Sequence, residues 1–399
     1  SYYTEIDTRK NILIIGTLMK TQYNITTGAL LLLIVLNTQA NSLTITEETS
    51  AFDDKNRSST LFYWTRERIA KAPAIMMIDK KKPSAPKKSS TTALTNEVPM
   101  STKGGSPAPG SNAIHRQAFA EDWEKLETEF GALYIESAQQ SNANNEDASA
   151  NVLAGTSGVY INYDVNTVNA LWKILPHKWI GKFTFTTPEG DSSCSATAIS
   201  NNHIVTAAHC VYDTPSRNAF YTNKAFTPAY RNGNAPYGTF PITSCRVLAA
   251  WKNLSGGYSI STWTRHDVAV CNVGTNSIGQ TLNAAVGWAG RSWDLPSQQL
   301  HFNAGYPAND VNDNFLPNPA QYLRACTAES FQYTTDTLGS GCFYGRGISG
   351  GPWLKNYAPA KNQSTVNSVN SGLFIGEHNL YGARFTSRNI KVLCDAEGC

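Results

Sequence analysis

The C-terminal part of this chain, residues 159–399, is predicted to be all-β, a barrel or sandwich of about 240 residues. Three observations carry that expectation. Short β-branched and aromatic runs recur at 179–187, 196–200, 203–206, 247–251, 267–273, 300–305 and 372–375. Clusters of Gly, Pro, Asn and Asp bound them, as turns require. No long helical period intervenes before the C-terminus, where the sequence permits one helix. A unit of this size can bury an adequate core without help from a metal.

The front of the chain reads differently. Residues 1–18 are given no role. From Met19 a single lysine, an apolar run at 25–36 and the small-residue end Thr38-Gln39-Ala40 match a secretory signal peptide over 19–40. A membrane anchor needs roughly 18–20 continuous apolar residues, and reaching that length would bury Lys20, Gln22 and Asn24. Residues 41–158 are expected to be a partly disordered propeptide, with a Lys/Pro/Ser-rich linker at 79–112 that holds too few apolar side chains to offset its ordering entropy. After the linker, residues 118–138 space Phe119, Trp123, Leu126, Phe130, Leu133 and Ile135 as one amphipathic helix. Residues 139–150 are polar and Asn-rich.

Composition excludes several classes. Of the 399 residues 41% are hydrophobic and 16% charged, against about 25% charged in an average soluble domain, so neither a disordered chain nor a coiled coil fits. A formal net charge of +3 is too small for a body that grips nucleic acid, whose footprint is strongly basic. The expected protein is secreted and monomeric, without stable membrane insertion once the signal is removed.

All eight cysteines lie between Cys194 and Cys399. In an exported chain an even count reads as disulfides. Cys194 and Cys210 flank two strand-like runs joined by Asn201-Asn202, a hairpin signal that brings the two sulfurs together. Cys326 with Cys342 is the second expected pair. The pairing of Cys245, Cys271, Cys394 and Cys399 stays open. No CxxC pair occurs and His209-Cys210 has no companions at zinc spacing, so no metal site is expected.

Three segments carry chemistry. Thr206-Ala207-Ala208-His209-Cys210 presents an imidazole at a strand end, packed by small residues beside an expected crosslink. Histidine is the side chain suited to taking and returning a proton near neutrality. Arg265-His266-Asp267-Val268-Ala269-Val270 puts a carboxylate at the head of an apolar strand. Such a group needs hydrogen bonds, and an oriented imidazole N–H supplies one. Gly347-Ile348-Ser349-Gly350-Gly351-Pro352 sets a hydroxyl on a tight turn, with the amides of Gly347 and Ser349 free to face one point. This is not the G-x-S-x-G elbow, which needs a later histidine.

The motifs TAAHC, HDVAV and GISGGP, in that order and with the Cys194 to Cys210 bracket, resemble the chymotrypsin-like (trypsin-fold) serine peptidases over roughly residues 160–395. Residues 222–239, Gly305-Tyr306-Pro307 and 349–353 are more similar to the branch of the staphylococcal glutamyl endopeptidase and related secreted enzymes than to digestive trypsins. The resemblance implies two six-stranded antiparallel β-barrels, with His209 and Asp267 on the first and Ser349 on the second. It implies acyl transfer: Ser349 as nucleophile, His209 as general base and acid, Asp267 as orienter, and Gly347 and Ser349 amides as the oxyanion hole. Substrates are then proteins or peptides, and no cofactor is called for.

The departures matter. Ile348 stands where trypsin-like zymogens carry the Asp that pairs with a new N-terminus, so any activation by propeptide removal takes another route. The mature domain is expected to begin near Val159. Strand-like residues 366–372 should form a wall of the primary pocket and pair with an extended substrate, which names Asn370, Ser371 and Gly372 as substrate-binding. Glutamyl endopeptidases place His where this chain has Asn370, and Phe343 replaces the Asp that selects basic residues. The pocket is expected to be neutral. A non-catalytic binding protein on the same fold is the second class, although the three reactive positions are intact.

Overall fold

The computed structural model describes residues 45–48, 54–79, 99–105, 158–165, 171–359 and 361–399. The expected signal peptide and the helix expected at 118–138 lie outside these residues. The compact unit running from Ile45 to Cys399 holds everything described below.

Short N-terminal elements come first: strand β1 (Ile45–Glu48), helices α1 (Asp54–Tyr63) and α2 (Arg66–Lys71), and strands β2 (Met77–Asp79), β3 (Met100–Ser101) and β4 (Ile161–Asp164). Next are β5 (Ile180–Thr187), β6 (Gly190–Ser200) and β7 (His203–Thr206), then the small hairpin of β8 (Tyr212–Asp213) and β9 (Ala219–Phe220). Strands β10 (Thr222–Pro228) and β11 (Phe240–Leu248), helix α3 (Ala249–Lys252) and strand β12 (Ala269–Val273) follow. Helix α4 (Leu282–Val286) and strand β13 (Gly290–Trp293) lead into β14 (Leu300–Gly305), β15 (Arg324–Thr334), β16 (Thr337–Gly341), β17 (Pro352–Lys355), β18 (Thr365–Phe374) and β19 (Asn379–Ala383). Helix α5 (Ile390–Glu397) is the helix that the C-terminus permits.

Two antiparallel barrels of six strands each result. The first runs β10-β5-β6-β7-β12-β11 and closes by β10 pairing β11; the second runs β14-β15-β16-β19-β18-β17 and closes by β17 pairing β14. Closure removes free sheet edges. Phe183, Phe226, Phe240 and Val270 fill the first barrel and Val311, Leu338, Trp353 and Leu380 the second, all almost wholly buried. Full burial of such a side chain contributes about 1.5–3 kcal/mol. The Asn201-Asn202 turn joins β6 to β7 as the hairpin signal predicts, and four disulfides join Cys194 to Cys210, Cys245 to Cys271, Cys326 to Cys342 and Cys394 to Cys399.

One strand expectation is corrected. The strand expected at 247–251 holds only for Val247 and Leu248, where β11 ends, and from Ala249 the chain turns into α3. Ala249 and Ala250 are good helix formers and nothing β-branched follows them. The segments ahead of the barrels also differ from a plain spacer. Trp64, Ile69 and Ala72 are buried in the first barrel's cluster, and β3 pairs with β13 inside the stretch expected to be a linker. Strand β2 lies parallel to β18.

Lys182 on β5 is fully buried, its Nζ has no hydrogen-bond partner, and it lies 5.2 Å from the Tyr230 ring centroid. Burial lowers its pKa from 10.5 to about 7. Between those values the unfolded chain holds a proton that the folded chain does not, so stability falls as pH drops from about 10.5 to about 7 and then levels off. Lys182→Met is expected to unfold at higher urea than the parent at pH 7, by more than about 1 kcal/mol. The gap should close near pH 10.5, as paired urea melts would read.

Candidate active site

His209 sits in the 3-10 turn Ala208–Cys210 just beyond β7, and Cys210 is tied to Cys194 on β6. Asp267 caps the 3-10 turn Thr264–His266 and lies two residues ahead of β12, the strand paired to β7. The β7–β12 pairing therefore brings the two side chains together, although 58 residues separate them. Asp267 is fully buried and His209 is 4% exposed. The His209 backbone N–H donates to Asp267 Oδ1 at 2.8 Å, and His209 Nδ1 lies 2.7 Å from Asp267 Oδ2. The Ser371 hydroxyl donates to the same Oδ2. A carboxylate in this position accepts throughout, which assigns the imidazole proton to Nδ1 and leaves Nε2 with a lone pair.

Ser349 lies on the turn between β16 and β17. Gly347 (φ +92°) and Gly350 (φ +76°) adopt left-handed backbone, and a Cβ on Gly350 would come within 2.0 Å of Thr206 Oγ1 and 2.3 Å of the Ser195 carbonyl. Gly350 lets the turn press against β6 and the end of β7, just before His209, whereas Gly347 makes room for the Tyr306 carbonyl and Ala74. The Ser195 N–H donates to the Ser349 carbonyl at 2.7 Å, and the Ser195 hydroxyl donates to the Gly347 carbonyl at 2.8 Å while accepting from the Tyr306 N–H. Thr206 Oγ1 in turn donates to the Ser195 carbonyl. His209 Nε2 and Ser349 Oγ are both buried and neither has a hydrogen-bond partner.

The wall residues have distinct positions. Asn370 spends its amide on the turn: Oδ1 accepts from Trp353 Nε1 at 2.7 Å and Nδ2 donates to the Ile348 carbonyl at 3.2 Å. Ser371 supports Asp267 with its hydroxyl. Gly372 pairs with Tyr381 on β19 and with Met77 on β2. Phe343 packs against the second barrel's apolar cluster, and its backbone N–H donates to Cys326 Sγ. Sequence alone assigns Ser195 no part in the site and shows Thr206 only as the start of the segment that bears His209. A serine and a threonine inside strands give no signal of their own; only the adjacency of Ser195 to Cys194 hints at the site.

Among the described residues, the side chains that approach metal-binding geometry are Cys194, His209 and Cys210. Both sulfurs are committed to one disulfide and His209 Nδ1 to Asp267, so this donor set does not fit an ion.

The Trypsin family profile matches residues 173–372, half of the 399-residue chain. A protein named extracellular metalloprotease from Bacillus subtilis (strain 168) is 25% identical over 198 residues, 49% of this chain and 55% of that protein. The chain therefore spans about half the length of this curated relative. Among solved structures, protease Anisep from Arthrobacter nicotinovorans is 25% identical with a TM-score of 0.47, covering 59% of this chain and 98% of that one. The thermostable serine protease AL20 from an extremophilic microorganism is 25% identical with a TM-score of 0.45 over 55% of this chain and 97% of its own. A Glu endopeptidase is 20% identical with a TM-score of 0.45 over 62% of this chain and 100% of its own. The profile runs from the strands of the first barrel through β18, the stretch that holds His209, Asp267 and Ser349, and the chain belongs to the Trypsin family.

Proposed function

We propose that this protein is a secreted serine endopeptidase, made as a proenzyme, which hydrolyses peptide bonds through an acyl-enzyme on Ser349. The observation that supports this reading is that two buried groups without hydrogen-bond partners, His209 Nε2 and Ser349 Oγ, belong to segments tied to neighbouring positions of one strand, the Ser349 turn to Ser195 and the residue after His209 to Cys194. A buried polar group with no partner costs about 1–3 kcal/mol, a cost that a reacting group repays when substrate arrives.

Ser349 Oγ attacks the substrate carbonyl and His209 Nε2 takes its proton, forming an imidazolium. Asp267 stabilises that cation and holds the ring by its two hydrogen bonds to His209. The carbonyl oxygen, now negative, lies toward the amides of Gly347 and Ser349, each such donor being worth about 10²–10³ in rate. The imidazolium then protonates the departing amine, and water repeats the sequence on the acyl group. Partners are protein or peptide substrates. Phe343, in place of an acidic residue, favours an uncharged side chain in the primary pocket, and Asn370 is already engaged within the turn.

Four disulfides fit an oxidising compartment. No helix among the described residues is long and apolar enough to cross a membrane. A fluorophosphonate is expected to attach to Ser349 of the processed protein, located by peptide mass mapping. An unlabelled Ser349 alongside a reactive control peptidase rejects the endopeptidase reading and favours the binding protein.

A further inference from the structure

Residues 73–79 cross from one barrel to the other over the candidate site. On the first barrel, the Ser193 N–H donates to the Pro73 carbonyl at 2.6 Å and the Ile75 N–H donates to the Ser193 carbonyl at 3.0 Å. On the second barrel, the Gly347 N–H donates to the Ile75 carbonyl at 2.9 Å. From there Met77, Ile78 and Asp79 pair in parallel with Gly372, Leu373 and Phe374 of β18. Between these anchors Met76 is 7% exposed, buried in the apolar cluster that includes Val311, Cys342, Ile348 and Leu373, with Phe343 packed against it. A Cβ on Gly372 would meet the Met77 carbonyl at 2.7 Å, and one on Gly347 would meet Ala74 Cβ at 2.9 Å, so both glycines are needed for this close approach.

We infer that residues 73–79 are a built-in occupant of the cleft, with the Ile75 carbonyl on an oxyanion-hole donor and the Met76 side chain in the primary pocket, and that the pocket accepts apolar side chains not branched at Cβ. The inference rests on the peptidase reading for the names of these subsites; the contacts stand without it. The direction of the chain explains why such an occupant persists. β18 borders the primary pocket, which holds the residue before the bond to be cut, so a substrate lays its acyl half along β18. Here the residues along β18 are those after the Ile75 carbonyl, and those before it lie on β6. The segment runs backwards, and it presents the leaving nitrogen of the Ile75-Met76 bond where an acyl half belongs.

Anchors on both sides hold it in place. Upstream, Arg68 pairs with Asp191 at 3.1 Å, Arg66 Nε donates to the Gly233 carbonyl at 2.7 Å and Gln321 Nε2 donates to the Ala70 carbonyl at 2.7 Å. Downstream, Asp79 Oδ2 accepts from the Ile260 N–H at 3.2 Å. An intramolecular occupant that opens to about 0.1–10% slows any reagent that needs the empty cleft by roughly 10-fold to 1,000-fold.

The test uses the full chain and its Met76→Asp and Met76→Leu variants. Two quantities are read: hydrogen exchange of the peptide covering 345–349, which holds the Gly347 amide, and the rate of fluorophosphonate labelling at Ser349. Protection in the parent and in Met76→Leu, its loss in Met76→Asp, and labelling faster by roughly tenfold or more in Met76→Asp are expected. The opened variant should also cut peptides after Met or Leu in preference to Glu or Lys. Equal exchange in all three chains, parent labelling as fast as that of Met76→Asp, or a preference for Glu or Lys would overturn the inference. Matching thermal melts of the variants guard against misfolding, and a Met76→Asp chain that melts early is replaced by Met76→Gly. If exchange responds as expected but no chain labels, the cleft occupant stands and the peptidase reading falls.

Discussion

Ser349→Ala is expected to lower kcat by about a million-fold, with KM little changed, once the cleft is open. The Ser349 hydroxyl has no hydrogen-bond partner, whereas its carbonyl is held by the Ser195 N–H. Removing Oγ therefore deletes the nucleophile while the turn, its glycines and its two amides stay in position. The residual rate should still exceed that of water by about 10³–10⁴, because the oxyanion donors and substrate binding remain. Single-turnover hydrolysis of a peptide ester by parent and variant reads this directly. A loss below about a hundredfold would mean that another group attacks.

Asp267→Asn should cost about 10⁴ in kcat at neutral pH with an intact fold. The present carboxylate accepts from three donors: the His209 N–H, His209 Nδ1 and the Ser371 hydroxyl. An asparagine has one accepting oxygen and one donating nitrogen. Whichever way the amide turns, its NH₂ faces a donor unless the imidazole moves its proton from Nδ1 to Nε2. That tautomer points N–H rather than a lone pair at Ser349, so the base cannot take the proton. The imidazole signals of a labelled protein would report the exchange of tautomers. Unchanged kcat with Nδ1 still protonated would contradict the orienting role.

Much of this arrangement is legible in the sequence. Asp267 at the head of an apolar run, His209 after small residues and Ser349 between glycines are each weak signals alone, and only their order along the chain and the resemblance of the three motifs to one family mark them as candidates. Cys194 with Cys210 is marked in sequence by the hairpin signal between them, whereas the Cys245 to Cys271 bond depends on β11 and β12 lying side by side. β15 escaped because Glu329 and Gln332 break its apolar run, and the barrel supplies the burial that its sequence does not advertise. Residues 73–79 are the clearest loss. An apolar run of that length has no visible partner in sequence, since its hydrogen bonds go to residues more than a hundred positions away.

Ser195 receives little notice in sequence and yet grips the turn bearing Ser349 by its amide and by its hydroxyl. Its neighbour Cys194 is tied to the residue after His209. Two consecutive positions of one strand thus join the turn that bears Ser349 to the turn that bears His209. Sliding of one barrel over the other strains this short joint first, so mutations that loosen the far sides of the barrels should leave the ties of Ser195 and Cys194 to these two turns intact.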